Sequence, residues 1–420
     1  LIQVNAAQTR VGYQMRARRP SICNVGLARK RSAGMTIEPI QPPQAVAPPP
    51  SRFVLPAGRL GDLIALLQAD GLDVHGPTLR DGAAVLAPLA DASALPHGWR
   101  VRQEPGAWRL ERRDDDAVFG FTHGADSWKK LLHPPRVRLW SAERGEDGFS
   151  VTEGSNPAAP FALLGVRACD LRAIAVQDKV FQQGPFVDGV YAGRRAGAFI
   201  VAVDCGEPTG TCFCASMGTG PAADAGFDLA MTELAAGDPA AHRFVLRVGG
   251  ERGKTVVERL ALAPATDADI AAANGVTDGA RGKMGRAMDP AAARTLLASK
   301  RESKHWQEVA QRCLTCANCT MVCPTCFCTT VEDTSDLSGD HAERWRLWDS
   351  CFTFEFSHVV GGPVRESASA RYRHWISHKL SSWYDQFGES GCVGCGRCIT
   401  WCPVGIDITA EVAALQEDAT

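Results

Sequence analysis

The chain has 420 residues, 45 Lys and Arg against 47 Asp and Glu, and a formal net charge of −2. A balance this even argues against nucleic acid as a partner, which favours a basic surface, and no apolar run reaches the 18 or so residues of a membrane helix. Sixteen cysteines, clumped at short spacings with no signal-peptide core ahead of them, point away from a secreted disulfide scaffold and toward metal or cluster ligation in a reducing, cytoplasmic compartment.

Residues 1–34 carry seven Arg or Lys and no acidic residue. That is the composition of a transit peptide or of an upstream extension, and the second reading takes Met35 as the expected start. "PIQPPQAVAPPPS" at 39–51 reads as a proline-rich linker, so the whole of 1–51 is expected to be disordered. A mixed α/β segment follows. "GRLGDLIALLQADG" predicts a helix over 58–71, with Leu60, Leu63, Leu66 and Leu67 on one face and Gly71 suited to its end. "AVFGF" and "VRLW" read as short strands.

Residues 160–230 give the clearest α/β unit. "PFALLGVRA" and "GAFIVAV" read as buried strands. Between them "DLRAIAVQDKVF" reads as a helix with Asp170 available as its N-cap. Strand, helix and strand at this spacing suggest a parallel βαβ unit. Cys169 would then follow one strand and Cys205 the next, both at the sheet edge where α/β folds bind ligands. Cys212 and Cys214 come from "DCGEPTGTCFCASMGTGP", a loop able to fold back over that edge. Four thiols there would suffice for a third [4Fe–4S] cluster. A zinc site, a redox dithiol and no site at all are the competing readings. A C-x-C disulfide would close a strained ring, and the loop's glycines miss both the P-loop and the dinucleotide fingerprint. Further on, "HRFVLRV" and "KTVVERL" read as strands, and "DPAAARTLLAS" as a helix capped by Asp289.

Near residue 300 the chain becomes dense in Trp, His, Arg and Cys. "CLTCANCTMVCP" (313–324) and "CVGCGRCITWCP" (392–403) both fit C-x2-C-x2-C-x3-C-P, the bacterial two-cluster ferredoxin spacing. In that pattern the fourth cysteine reaches the other cluster. Cys313, Cys316, Cys319 and Cys402 are therefore expected to hold one [4Fe–4S] cluster, and Cys392, Cys395, Cys398 and Cys323 the other. Zinc usually takes separated pairs of ligands, which leaves the third cysteine and the Cys-Pro unexplained, twice. Cys326, Cys328 and Cys351 lie between the motifs with no fourth partner. They read as small buried residues or as S–H contacts that tune a cluster. His341, His358, His374 and His378 read as packing for a Trp- and Arg-rich insertion. Arg312 and Arg397 adjoin ligands and read either as solvated or as raising a local potential.

The expected fold is thus an α/β part over 52–299, containing a parallel βαβ unit, followed over 300–420 by an α-helical two-cluster ferredoxin-like domain with a large insertion. No G-x-S-x-G elbow, H-E-x-x-H motif, terminal C-x-x-C pair for a [NiFe] centre, or flavin or nicotinamide fingerprint is found. No catalytic residue is therefore assigned, and one-electron transfer is the expected chemistry.

The blocks "SWKKLLHPPRVRLW", "LLGVRACDLRAIAVQDKVF", "DCGEPTGTCFCASMGTGP", "WDSCFTFEF" and "ESGCVGCGRCITWCPVGIDIT" together resemble the iron–sulfur beta subunit of cytosolic sulfhydrogenases. These are NAD(P)-linked [NiFe] hydrogenases built from four subunits. The chain also resembles the electron-transfer subunit of anaerobic sulfite reductases. The resemblance covers most of residues 55–415. It departs at Ala168, where the family has proline, and in the N-terminal 50 residues. It implies a relay within a hetero-oligomer, set between the [NiFe] hydrogenase subunits and a flavin- and NAD(P)-binding subunit. A sulfite reductase relay, an enzyme acting through Cys326, Cys328 and Cys351, and a zinc-bearing scaffold are the alternatives.

Overall fold

Apolar runs set the middle of the main sheet. "FALLGVR" and "AFIVAV" have almost no polar residue to show to water, so both faces of each must be covered. The computed structural model describes residues 52–122, 124–154, 159–235 and 239–418. The basic and proline-rich stretch 1–51 and His123 lie outside the described residues. The described residues belong to one compact unit.

The strands in chain order are β1 (Arg52–Pro56), β2 (Asp73–Arg80), β3 (Ala83–Pro88), β4 (Trp99–Glu104), β5 (Ala107–Arg112), β6 (Arg136–Gly145) and β7 (Gly148–Glu153). After them come β8 (Phe161–Arg167), β9 (Ala198–Val203), β10 (Leu229–Leu234), β11 (Arg243–Val248), β12 (Ala263–Pro264), β13 (Thr329–Ser335) and β14 (His341–Trp348). Eight of them form one sheet in the order β12-β1-β11-β10-β9-β8-β2-β3. Its middle is parallel, β10 on β9, β9 on β8 and β8 on β2, and its margins are antiparallel.

Side chains alternate across the sheet with the strand period of two. On β9, Phe199, Val201 and Val203 join the core that holds Leu60, Leu63, Ile64 and Leu67 of the helix Leu60–Ala69. Ala198, Ile200 and Ala202 face the other core, with Leu171 and Ile174 of the helix Ala168–Gln182. A register shift interrupts β8 between Leu164 and Val166. Gly165 sits there at φ +96°, with the Phe119 ring 3.1 Å from where a Cβ would stand. This bulge turns the end of β8 toward the edge that carries Cys169.

The structure departs from the sequence expectations in three elements. "KTVVERL" lies in a helix, Glu251–Arg259, because Gly253, Val256, Val257 and Leu260 make a buried stripe at helical spacing. "AVFGF" is irregular. The backbone N–H groups of Val118 and Phe119 donate to the Glu233 carboxylate at 2.6 and 2.7 Å, and the Phe119 carbonyl accepts from Arg167 at 2.8 Å. Side chains satisfy this backbone, so it needs no strand ladder. Asp170 does not cap its helix. The helix begins at Ala168, and the Asp170 carboxylate points to Arg397 instead. Asp289 does cap Pro290–Ser299, accepting from Ala291 and Ala292.

A second sheet, β13-β14-β6-β7, joins the stretch between the cysteine motifs to strands from early in the chain. The hairpin β4–β5 reaches the second motif, where Trp108 stacks on Trp401 and Gly106 N–H donates to the Ile399 carbonyl at 3.1 Å. Around both motifs lies a helical core with Trp306, Phe352, Tyr372, Trp375 and Leu380.

Candidate iron–sulfur sites

The two C-x2-C-x2-C loops share one backbone design. Each ends in a short helix, Asn318–Met321 or Arg397–Thr400. Each needs a left-handed residue at its third and fifth positions. The first loop uses Thr315 (φ 50°) and Ala317 (φ 66°), the second Gly394 (φ 65°) and Gly396 (φ 75°). A non-glycine residue in this region costs roughly 1 kcal/mol, so the second loop's glycines answer a further demand. A Cβ on Gly394 would stand 2.7 Å from Cys214 N, and one on Gly396 2.4 Å from the Thr211 carbonyl oxygen. The second motif is pressed against the loop of Cys212 and Cys214, with Phe213 N–H donating to the Gly394 carbonyl at 2.9 Å.

A direct test follows. Gly396→Ala should cost about 2–4 kcal/mol, from left-handed backbone plus overpacking. Gly339→Ala, at φ +73° with nothing within 4 Å, should cost only about 1 kcal/mol. Equal losses in urea denaturation would disprove the close approach.

Cys313, Cys316, Cys319 and Cys402 line a single pocket, walled by Phe352, Tyr372, Trp375, Val404 and Ile406. Cys402 thus stands with the first three cysteines of the other motif. Backbone N–H groups donate to sulfur, Thr315 to Cys313 at 3.4 Å and Ile406 to Cys402 at 3.3 Å. In the second set, the Cys398 thiol is pushed well up by burial and then by the charges of Cys392, Cys395 and Cys323. Burial likewise pushes Cys392 up to about 12 and Cys395 up to about 11. These thiols keep their protons until a metal displaces them, so loading the site releases protons.

Cys169, Cys205, Cys212 and Cys214 line another small pocket, together with Arg167, Met284, Gly394 and Cys395. Cys169 lies in the first turn after β8 and Cys205 two residues after β9. Thr209 braces Cys212, with its N–H at 3.5 Å and its hydroxyl at 3.3 Å from the sulfur. The "MGTGP" tail is a wall of this cavity rather than a cradle for phosphate. A Cβ on Gly220 would come within 3.0 Å of the Cys214 sulfur, and Thr219 donates to the Val393 carbonyl at 2.6 Å.

The three sets stand in series. Cys395 lines the third cavity with Cys169 and Cys214. Cys323 reaches Cys319 of the first set. The set of Cys323, Cys392, Cys395 and Cys398 is therefore the middle one.

Cys326 faces Cys323, and Cys328 faces Cys351, whose thiol holds Cys328 down at about 7. Among the described residues, no three His, Cys, Asp or Glu side chains are grouped so as to hold a single metal ion. A tetrahedral zinc with Zn–S near 2.3 Å gathers its sulfurs within about 3.8 Å of one another, whereas cubane ligands sit around a wider body.

Charge around the sites is only partly legible in the sequence. Arg312 is half-exposed and bound to Glu411 at 2.7 Å. Arg397 is not solvated. It is buried against Asp170, with bonds of 2.8 and 3.2 Å. Gln103, not singled out by any motif, takes bonds from Thr209, Thr211 and Thr400 at 3.0, 3.1 and 3.2 Å, tying the hairpin to two cysteine loops. Lys379 belongs to no motif either, though a lone lysine in the Trp-rich "HWISHKLSSWY" is a signal.

The 4Fe-4S dicluster domain family matches residues 312–406. No solved structure matches the chain. The sulfhydrogenase 2 subunit beta of Pyrococcus furiosus is 34% identical over 306 residues, which are 72% of this chain and 86% of that protein. Identity of that extent shows that the chain belongs to the family of sulfhydrogenase iron–sulfur beta subunits.

Proposed function

We propose that this chain is the cytoplasmic electron relay of a hydrogenase hetero-oligomer, set between the [NiFe] hydrogenase subunits and a flavin- and NAD(P)-binding subunit. It would hold two [4Fe–4S] clusters through Cys313, Cys316, Cys319 and Cys402 and through Cys392, Cys395, Cys398 and Cys323. Cys169, Cys205, Cys212 and Cys214 would hold a third. Such clusters supply one-electron transfer at potentials set by net charge, hydrogen bonds to sulfur and burial.

The observation that carries the reading is the adjacency of three thiol sets, one around a pocket lined by four cysteines and one around a pocket lined by its own four and by Cys395 of the set beside it. The chain's own contribution is to bury the middle set and to open the first toward the surface. Cys316 is exposed, as are Leu314 and Val404 on the same cavity. No helix among the described residues is long and apolar enough to cross a membrane.

The test mixes anaerobically reconstituted chain with one partner at a time and follows its broad visible absorption. Hydrogen should bleach it only with the [NiFe] subunits present, and NAD(P)H only with the flavin subunit. A colourless, zinc-containing protein, or bleaching with neither partner, would overturn the reading.

A further inference from the structure

Lys379 lies in a π-helical turn, His378–Ser382, between the helices Ala368–Ser377 and Trp383–Phe387. Such turns shift the face a helix presents and recur at functional sites. Here the lysine is only 3% exposed. Its ammonium uses all three donors, to Cys323 Sγ at 3.3 Å, Thr325 Oγ1 at 3.0 Å and the Gly391 carbonyl at 3.2 Å. Gly391 N–H in turn donates to the Lys379 carbonyl at 2.8 Å. The lysine therefore clamps the residue before Cys392 to the sulfur of Cys323, two cysteines that come from different motifs.

Lys379 has no carboxylate in salt-bridge reach among the described residues. A buried ammonium without counter-charge is expensive. The group that faces it is the sulfur of Cys323, at 3.3 Å, which carries negative charge when it ligates iron. Arg397 is the instructive contrast. It too is buried beside the middle set, but Asp170 cancels its charge at 2.8 Å.

We propose that Lys379 is a positioning residue that raises the reduction potential of the cluster held by Cys323, Cys392, Cys395 and Cys398, the middle one of the series. The inference rests on the ligand assignment above. Reduction adds one negative charge beside a fixed positive one, in a site too buried for water to screen it. A charged N–H···S bond also draws electron density from the sulfur and favours the reduced form. The middle site thereby becomes the one where an electron rests between partners that deliver and remove it.

The experiment is an EPR-monitored redox titration of the full, reconstituted chain, with iron counted on each sample. In Lys379→Met, iron should stay at the wild-type level while one midpoint moves to more negative potential and the others hold. Lys379→Arg should recover most of that shift. Thr325→Val, which removes a hydroxyl from the clamp, should move the same midpoint by a smaller step in the same direction. Full iron with every midpoint unmoved in Lys379→Met would overturn the proposal. So would iron loss in Lys379→Met with Thr325→Val unmoved, because that pair marks a purely structural anchor. Because the Thr325 hydroxyl also lies 3.1 Å from the Cys323 sulfur, a Lys379→Met chain that loses iron while Thr325→Val shifts one midpoint is replaced by Lys379→Gln at full iron: one midpoint moved to more negative potential supports the proposal, and none moved overturns it. A wild-type chain that takes up no iron defeats the ligand assignment instead, so the two ideas fail separately.

Discussion

Arg397→Leu should lower the stability of the iron-loaded chain by about 3–5 kcal/mol, the usual cost of breaking a buried ion pair on one side. The side chains of Arg397 and Asp170 are 1% and 3% exposed and share two hydrogen bonds, at 2.8 and 3.2 Å. Arg397 also donates to the Asp126 carbonyl at 3.2 Å. With the guanidinium gone, the Asp170 carboxylate stays buried beside Cys169 with its charge unmatched. The double variant Asp170→Leu with Arg397→Leu should be more stable than Arg397→Leu alone, since replacing both partners removes the stranded charge. Urea denaturation of the two single variants and the double closes the cycle. A loss below about 1 kcal/mol in Arg397→Leu, the range of an exposed pair, would refute the pairing as the bond between helix and motif.

That pair also shows where reading the sequence stops. The grouping of Cys402 with Cys313, Cys316 and Cys319 is legible because each motif is contiguous and its spacing carries the geometry. Cys169 and Cys205 share an edge because each directly follows an apolar strand, and the structure pairs those strands in parallel. Asp170 reads as a cap because local patterns know only near neighbours, while its partner lies in the second motif. "AVFGF" has the composition of a strand, yet a carboxylate from β10 takes its N–H groups. "KTVVERL" is ambiguous in the way short apolar runs are, and only the sheet beneath it selects the helical stripe. Strands β13 and β14 complete a sheet with β6 and β7 from far up the chain, a pairing no local signal carries. Gly394 and Gly396 are visible as letters, but the reason for them is the neighbouring loop of Cys212 and Cys214.

Replacing Cys212 and Cys214 together by alanine should drop iron from about 12 to about 8 atoms per chain, the content of one cluster. The four thiols of that cavity come from three places, the helix after β8, the turn after β9 and the loop at 212–214. Alanine at both cysteines of the loop leaves only Cys169 and Cys205 of the four, too few to hold a cubane. The first two sets keep all their cysteines, and both substitutions remove sulfur without adding volume to the packed face under Gly394 and Gly396. The remaining eight irons should therefore survive, and so should the visible bleaching by a partner that docks at the exposed Cys316 end. Bleaching by the partner at the other end should fall steeply, because the series has lost its terminal member. An unchanged iron count would show that these four thiols hold no cluster. Loss of all iron would show that the loop of Cys212 and Cys214 is instead a structural support for the second motif.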